Sequence, residues 1–238
     1  MTAEHAAVIH GEMVAKGRVD ALLHGGWAAP QRGAGLYSSA APPRGATSHD
    51  GAADDRHHAA GLPAERLARA ERQRRRWATQ VVVIDELAQR ACAERGLEPP
   101  AEVSPDRVLA VAETDVADLG SIVAAALAHS PATRLLLAEL EGEQEVPEAA
   151  VRDYYDRNRD RFLTAEALRR GVDPFGGVSS EDFVPYERAR EGVARELRQA
   201  AGRRAFFGWL DQAKAGVVYT AGHEHPGDPT HPDHEHRH

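Results

Sequence analysis

Apolar residues recur at helical spacing along much of this chain. Near the amino terminus, Val19, Leu22 and Leu23 follow the i, i+3, i+4 spacing of a helix with one buried face. A longer helix is predicted from Leu62-Pro63 to Arg95-Gly96, because proline suits the first helical turn and glycine the position after the last. The pattern therefore predicts a mainly α fold.

Further helices are predicted in the second half of the chain, and prolines mark most of their starts. The predicted segments are a short helix from Ser104-Pro105-Asp106, one through Leu119 and Leu127, one from Ser130-Pro131, one from Pro147, and a long one from Pro185 or Tyr186 to Lys214.

Two short segments have extended rather than helical character. One is Val8-Ile9, which precedes a glycine turn at Gly11 and the first helix; the other is Val217-Val218-Tyr219. Runs of β-branched residues favour strands. We therefore predict a small two-stranded pairing between the two ends of the ordered chain.

Composition divides the chain further. Residues 25–61 are rich in Gly, Ala, Pro and Ser and lack an apolar period, so they predict a flexible insertion. Residues 222–238 are rich in His, Asp and Pro and predict a disordered tail. Residues 1–24 and 62–221 are then expected to form a single helical domain.

Three stretches resemble the non-catalytic helical arms of the SurA-type and PrsA-type peptidyl-prolyl isomerase chaperones. Residues 8–14, VIHGEMV, resemble the family's opening V-x-V-N-G-E-x-I, with His10 in place of Asn. Residues 146–162 resemble the helix with V-x-x-Y-Y-x-x-N-x-x-x-F that leads into the isomerase domain. Residues 183–187 and the helix after them resemble the returning helix, through Val193, Leu197, Phe206, Trp209 and Leu210. The resemblance implies a SurA-N-like helical chaperone domain.

The chain departs from this family where the isomerase domain should stand. Only 20 residues, Leu163 to Asp182, separate Phe162 from Phe183, whereas a parvulin domain needs on the order of a hundred. The segment contains neither His nor Cys, so the family's catalytic residues have no counterpart. We therefore expect a chaperone or assembly factor that binds an unfolded or specific protein client without parvulin catalysis. The enzyme class stays open, and peptidyl-prolyl isomerisation is the activity that the resemblance would assign.

Client binding is expected to use aromatic side chains. Aromatic residues contribute large contact areas at protein interfaces, although most are buried in cores. The candidates are Trp77, Tyr154, Tyr155, Phe206, Phe207 and Trp209.

The histidine-rich tail predicts a second kind of chemistry. Six of the 13 histidines fall in the last 16 residues. Imidazole is a natural ligand for Ni(II), Cu(II) and Zn(II), and a flexible chain can bring several rings to one ion. The candidate ligands are His223, His225, His231, His234, His236 and His238. A metal-handling accessory protein is thus an alternative to the chaperone, and a solubilising tail is the non-chemical interpretation.

Charge and motifs exclude several other classes. The net charge of −8 argues against a general nucleic-acid binder, and the arginines between Arg66 and Arg76 are interleaved with glutamates, as on a solvated helix face. Phosphate-loop, dinucleotide and Gly-x-Ser-x-Gly motifs are absent.

No signal peptide or membrane span is evident, so we expect a cytoplasmic protein without a membrane partner. The single cysteine, Cys92, is expected to be a buried thiol. Oligomeric state is left open.

Overall fold

A computed structural model describes residues 4–24, 64–100, 120–176 and 179–226. Its strands and helices are β1 (His5–Ile9), β2 (Glu12–Ala15), α1 (Lys16–His24), α2 (Ala64–Glu94), α3 (Ser121–His129), α4 (Pro131–Gly142), α5 (Glu148–Arg157), α6 (Ala165–Arg170), α7 (Tyr186–Lys214) and β3 (Val217–Tyr219). Short 3-10 helices span Arg159–Phe162 and Ser180–Asp182. The prediction of a mainly α fold with a small sheet is confirmed.

Helix boundaries agree closely with the sequence signals. The two long helices α2 and α7 occupy the predicted ranges, and α4 begins after Ser130, whose hydroxyl accepts from the Thr133 amide at 2.9 Å. The predicted insertion 25–61, the helix from Ser104, the residue Leu119 and tail residues 227–238 lie outside the described residues.

The sheet has three strands in the order β2-β1-β3 and is antiparallel throughout. The predicted pairing of the two chain ends is confirmed, with Val8 opposite Val218 and Ile9 opposite Val217. Strand β2 was not predicted. It forms because His10 and Gly11 both have positive φ, 50° and 87°, which is the backbone of a tight two-residue hairpin turn.

Close contacts divide the chain into two compact units, which differs from the single domain expected for residues 1–24 and 62–221. Among the described residues, unit 1 contains 4–24, 64–86, 120–126 and 217–226, and unit 2 contains 87–100, 127–176 and 179–216. The boundaries fall inside α2 and α3. A continuous apolar period gives no sign of such a boundary, which explains why the pattern did not predict it.

Unit 1 buries one face of the sheet together with residues of α1 and α2. Ala7, Ile9 and Val14 are buried in the sheet, and Val19 is buried in α1. Arg18 binds Asp85 of α2 at 2.7 Å and also pairs with Glu86. These charges are only partly exposed, so the ion pairs anchor α1 to α2 more firmly than surface pairs would.

Unit 2 is organised around α7. Helix α5 packs on its first half through a buried cluster of Val151, Tyr155, Tyr186 and Val193. Helix α4 packs on its second half, where Leu136, Leu140, Phe206 and Leu210 are buried. Cys92, also in this unit, is buried, its Sγ lies 3.5 Å from the Ala132 carbonyl oxygen, and burial raises the thiol pKa. The expectation of a buried thiol is confirmed.

In the part of the chain that the structure describes, no helix combines the length and the apolar character that a membrane span requires.

Candidate functional site

The segment between Phe162 and Phe183 belongs to unit 2, and a hydrogen-bonded base joins its two ends. Leu163 and Phe183 form an antiparallel bridge. The amide of Thr164 donates to the Asp182 carbonyl at 2.8 Å, and the amide of Val184 donates to the Phe162 carbonyl at 2.7 Å. The residues that precede and follow this 20-residue segment are therefore joined directly by backbone hydrogen bonds.

Inside this segment the polar groups support the backbone. The Thr164 hydroxyl caps α6 by accepting from the Ala167 amide at 3.2 Å, and Gly171 ends the helix with a φ of 68°. Asp182 accepts from the Ser179 amide at 3.1 Å and pairs with Arg170. The Asp182 carboxylate is therefore already hydrogen-bonded and ion-paired within this segment.

The aromatic candidates of α5 are largely structural. The ring of Tyr155 is buried against Phe162 and Tyr186, at centroid distances of 4.7 and 5.5 Å, and its hydroxyl donates to the Val184 carbonyl at 2.6 Å. Tyr154 is half-buried, and its hydroxyl donates to Glu196 of α7 at 2.8 Å. Tyr155 is therefore a core residue, and only Tyr154 of the pair keeps a partly exposed ring.

The remaining aromatic candidates also include both buried and half-buried rings. Trp77 is buried in unit 1, and Phe206 is buried in unit 2. Phe207 and Trp209 are half-buried beside Phe206, with ring centroids at 6.2 and 5.3 Å from it. Of the six candidates, Trp77 belongs to unit 1, and the other five belong to unit 2.

An exposed apolar row crosses the outer face of the sheet in unit 1. Met13 on β2 and Val218 on β3 both stand directly opposite Val8 on β1. Met13 is 71% exposed, Val218 is 66% exposed, and Val8 is half-buried. Val8 alternates with the buried Ala7 and Ile9, so the row occupies the face opposite the core. We call Met13, Val8 and Val218 the apolar row.

The sequence alone did not identify the apolar row. Its members are distant in the chain, and the row appears only when the register of both strand pairs is known. The alternation of exposed and buried residues around Val8 was the signal available in the sequence. It could have indicated the apolar row only if β2 had also been predicted as a strand.

The first of the carboxyl-terminal histidines, His223, is packed inside unit 1. His223 is only 4% exposed, and its Nδ1 lies 2.8 Å from the Thr79 Oγ1 of α2. The Thr79 hydroxyl already donates to the Arg75 carbonyl at 2.9 Å, so the imidazole N–H is the donor to Thr79. Burial lowers the His223 pKa, and the nearby charges of Lys16 and Arg75 lower it further. His223, expected as a metal ligand of a disordered tail, is instead packed in unit 1.

The residues after His223 are held by α2. Arg76 is fully buried, and its guanidinium donates to the backbone carbonyls of Glu224, at 3.1 Å, and His225. Pro226 is buried as well. The boundary of the tail, predicted at 222, therefore lies no earlier than 227.

Buried polar contacts continue to β3. The hydroxyl of Tyr219 donates to the Gln80 Oε1 at 3.0 Å, and burial raises the pKa of Tyr219 to about 12. Arg76, Thr79 and Gln80 thus place a polar stripe of α2 against the last strand and the segment after it. These contacts are the reason why the residues from 220 to 226 are packed in unit 1.

Among residues 4–24, 64–100, 120–176 and 179–226, no group of three or more His, Cys, Asp and Glu side chains has the arrangement needed to hold a metal ion. His225 is exposed, and the candidate ligands His231, His234, His236 and His238 lie outside the described residues.

Comparison of the chain with protein-family models, with curated proteins and with solved structures returned no match.

Proposed function

We propose that this protein is a chaperone or assembly factor that binds a polypeptide client without parvulin-type catalysis. The observation that carries the proposal is the apolar row on the outer face of the sheet. Burying an exposed apolar side chain contributes roughly 1.5–3 kcal/mol, so three side chains in line offer a useful binding energy to an apolar segment. The resemblance to SurA-type and PrsA-type arms supports a polypeptide as the ligand.

An extended client segment fits this surface best. Strands β2 and β3 are the outer strands of the sheet, and each pairs with β1. An added strand can gain main-chain hydrogen bonds at such an edge while its alternate side chains contact a neighbouring row. The hydrogen-bonded base at Phe162 and Val184 supports the second part of the proposal, because it joins the two arms where a catalytic domain would be inserted.

The proposal predicts that polar substitutions in the apolar row weaken client holding. Full-length protein should suppress the light scattering of reduced, aggregating α-lactalbumin, and the double variant M13S/V218S should lose most of that suppression. The reason is that serine removes the apolar area without changing backbone hydrogen bonding. Both side chains are exposed, so the fold should be preserved, which circular dichroism will check.

Leu168→Ser provides the matched control. Leu168 is 61% exposed but lies on α6 in unit 2, so this variant should hold the client like the unchanged protein. Equal suppression by M13S/V218S and L168S would contradict the role of the apolar row. Turnover of a prolyl peptide above the uncatalysed rate would contradict the absence of isomerase activity.

A second candidate, metal handling through the tail, rests on the four histidines between His231 and His238. Calorimetric titration with Ni(II), Cu(II) or Zn(II) should show binding to the full chain that is lost when the chain ends at Pro226. Truncation there leaves the ordered residues up to 226 in place. Equal metal binding by both proteins would remove this candidate.

A further inference from the structure

Three arginines of unit 2, Arg152, Arg159 and Arg161, lie over aromatic rings, and the third is also ion-paired with Glu196. The Arg152 guanidinium of α5 lies 3.7 Å from the ring centroid of Tyr186. The Arg159 guanidinium lies 3.9 Å from the ring centroid of Phe183 and 5.3 Å from that of Tyr155. Since Tyr155 also contacts Tyr186 edge-on, the two cations and three rings form one connected set. We call Arg152 and Arg159 the stacked arginines.

The stacked arginines differ from the other arginines around them in their partners. Arg157 pairs with Asp153 at 2.9 Å, Arg161 with Glu196 at 2.7 Å and Arg190 with Glu148 at 2.8 Å.

Neither stacked arginine forms an ion pair within 4.0 Å or a guanidinium hydrogen bond with any residue that the structure describes. The charge of Arg152 acts on Glu148 from a distance: hydrogen bonds from Tyr186 and Arg190 lower the pKa of this carboxyl, and Arg152 adds to the effect. Their N–H donors are therefore available to a ligand.

Stacking determines which part of each guanidinium a ligand can reach. The ring covers one face, whereas the N–H groups point outward in the guanidinium plane, where they match the two oxygens of a carboxylate. The contact with the ring also restricts side-chain rotation, so less entropy is lost when the ligand binds.

We propose that the stacked arginines form a binding surface for an acidic peptide segment. Two cations seven residues apart in the chain suit a few carboxylates along one peptide, whereas nucleic-acid binding draws on many phosphate contacts. Bases would also need an aromatic face on which to stack, and here arginine lies over a face of Tyr186 and of Phe183. All of these residues belong to unit 2, and the proposal does not depend on the apolar row in unit 1.

The test is fluorescence anisotropy of a labelled octaglutamate peptide with the full chain at low salt and at pH 8, where histidines are neutral. We expect saturable binding that weakens as salt is raised, and an affinity loss of about tenfold or more in R152Q/R159Q. The variant R152K/R159K keeps both charges but loses the planar donors, and should lose about threefold or more.

Arg157→Gln is the matched control, because Arg157 lies between the stacked arginines in sequence but is ion-paired. It should change the affinity by less than about twofold. Equal melting temperatures of the variants will show that they are folded, and octaglutamine should not bind.

Three results would overturn the proposal. They are an octaglutamate affinity unchanged in R152Q/R159Q, equal losses in R152Q/R159Q and R157Q, or tighter binding of an octauridylate RNA than of octaglutamate.

Discussion

Replacing Gly202 with alanine is expected to destabilise unit 2 by about 1–3 kcal/mol, which is the usual effect of overpacking a close contact. A Cβ at this position would lie 2.3 Å from the Glu141 Cγ and 2.7 Å from the Glu141 Cα. The Cγ could move, but the Cα belongs to the backbone of α4, so the two helices would have to separate. Urea unfolding followed by circular dichroism would measure the loss.

Gly208→Ala in the same helix is the control, and its expected effect has the opposite sign. A Cβ at Gly208 would meet nothing within 4 Å, so the substitution should stabilise the helix by about 0.5–1 kcal/mol through backbone entropy. A stabilising effect of Gly202→Ala, like that expected for Gly208→Ala, would show that α4 and α7 do not meet closely at Gly202.

Ending the chain at Thr220 is expected to destabilise unit 1 by about 3–5 kcal/mol, whereas ending it at Pro226 should change stability by less than about 0.5 kcal/mol. The shorter protein loses the Glu224 and His225 carbonyls that accept from the fully buried Arg76. It also loses the buried His223 ring that donates to Thr79. In both cases a buried polar side chain of α2 loses hydrogen bonds that it makes in the full chain.

Urea unfolding of the two truncated proteins and the full chain would measure this difference. The variant H223A in the full chain should fall between them, because it removes one ring but keeps the carbonyls bound to Arg76. Equal stability of the proteins ending at Thr220 and Pro226 would contradict the packing of this segment on α2. The result also determines where the chain should be truncated for metal titrations. Removing residues from 222 onward would disturb the packing of unit 1 as well as remove histidines, so a change in metal binding could not be assigned to the histidines alone.

Much of the helical architecture could be predicted from local signals. The Pro and Ser residues at helix starts, and the apolar period within each helix, act over a few residues. They sufficed for α2, α4 and α7. The pairing of β1 with β3 was also predictable, because Val8-Ile9 and Val217-Val218 have little tendency to be helical.

Strand β2 was not predicted because the turn that precedes it lacks the usual sequence signal. Asn-Gly is the common signal for a two-residue hairpin turn, and here His10 takes the first position with positive φ. Histidine adopts this backbone less readily than glycine but more readily than most residues. Without the hairpin, Met13 was assigned to no strand, and the apolar row remained hidden.

The sequence by itself determined the long helices α2 and α7 and the start of α4, and it leaves only 20 residues between Phe162 and Phe183. Only the tertiary structure decided which side chains meet: the apolar row, the stacked arginines and the burial of His223 against Thr79. The physical reason is the difference in sequence separation between the residues that interact. Helix signals act between neighbours in sequence, whereas these three arrangements join residues brought together only by strand register and helix packing.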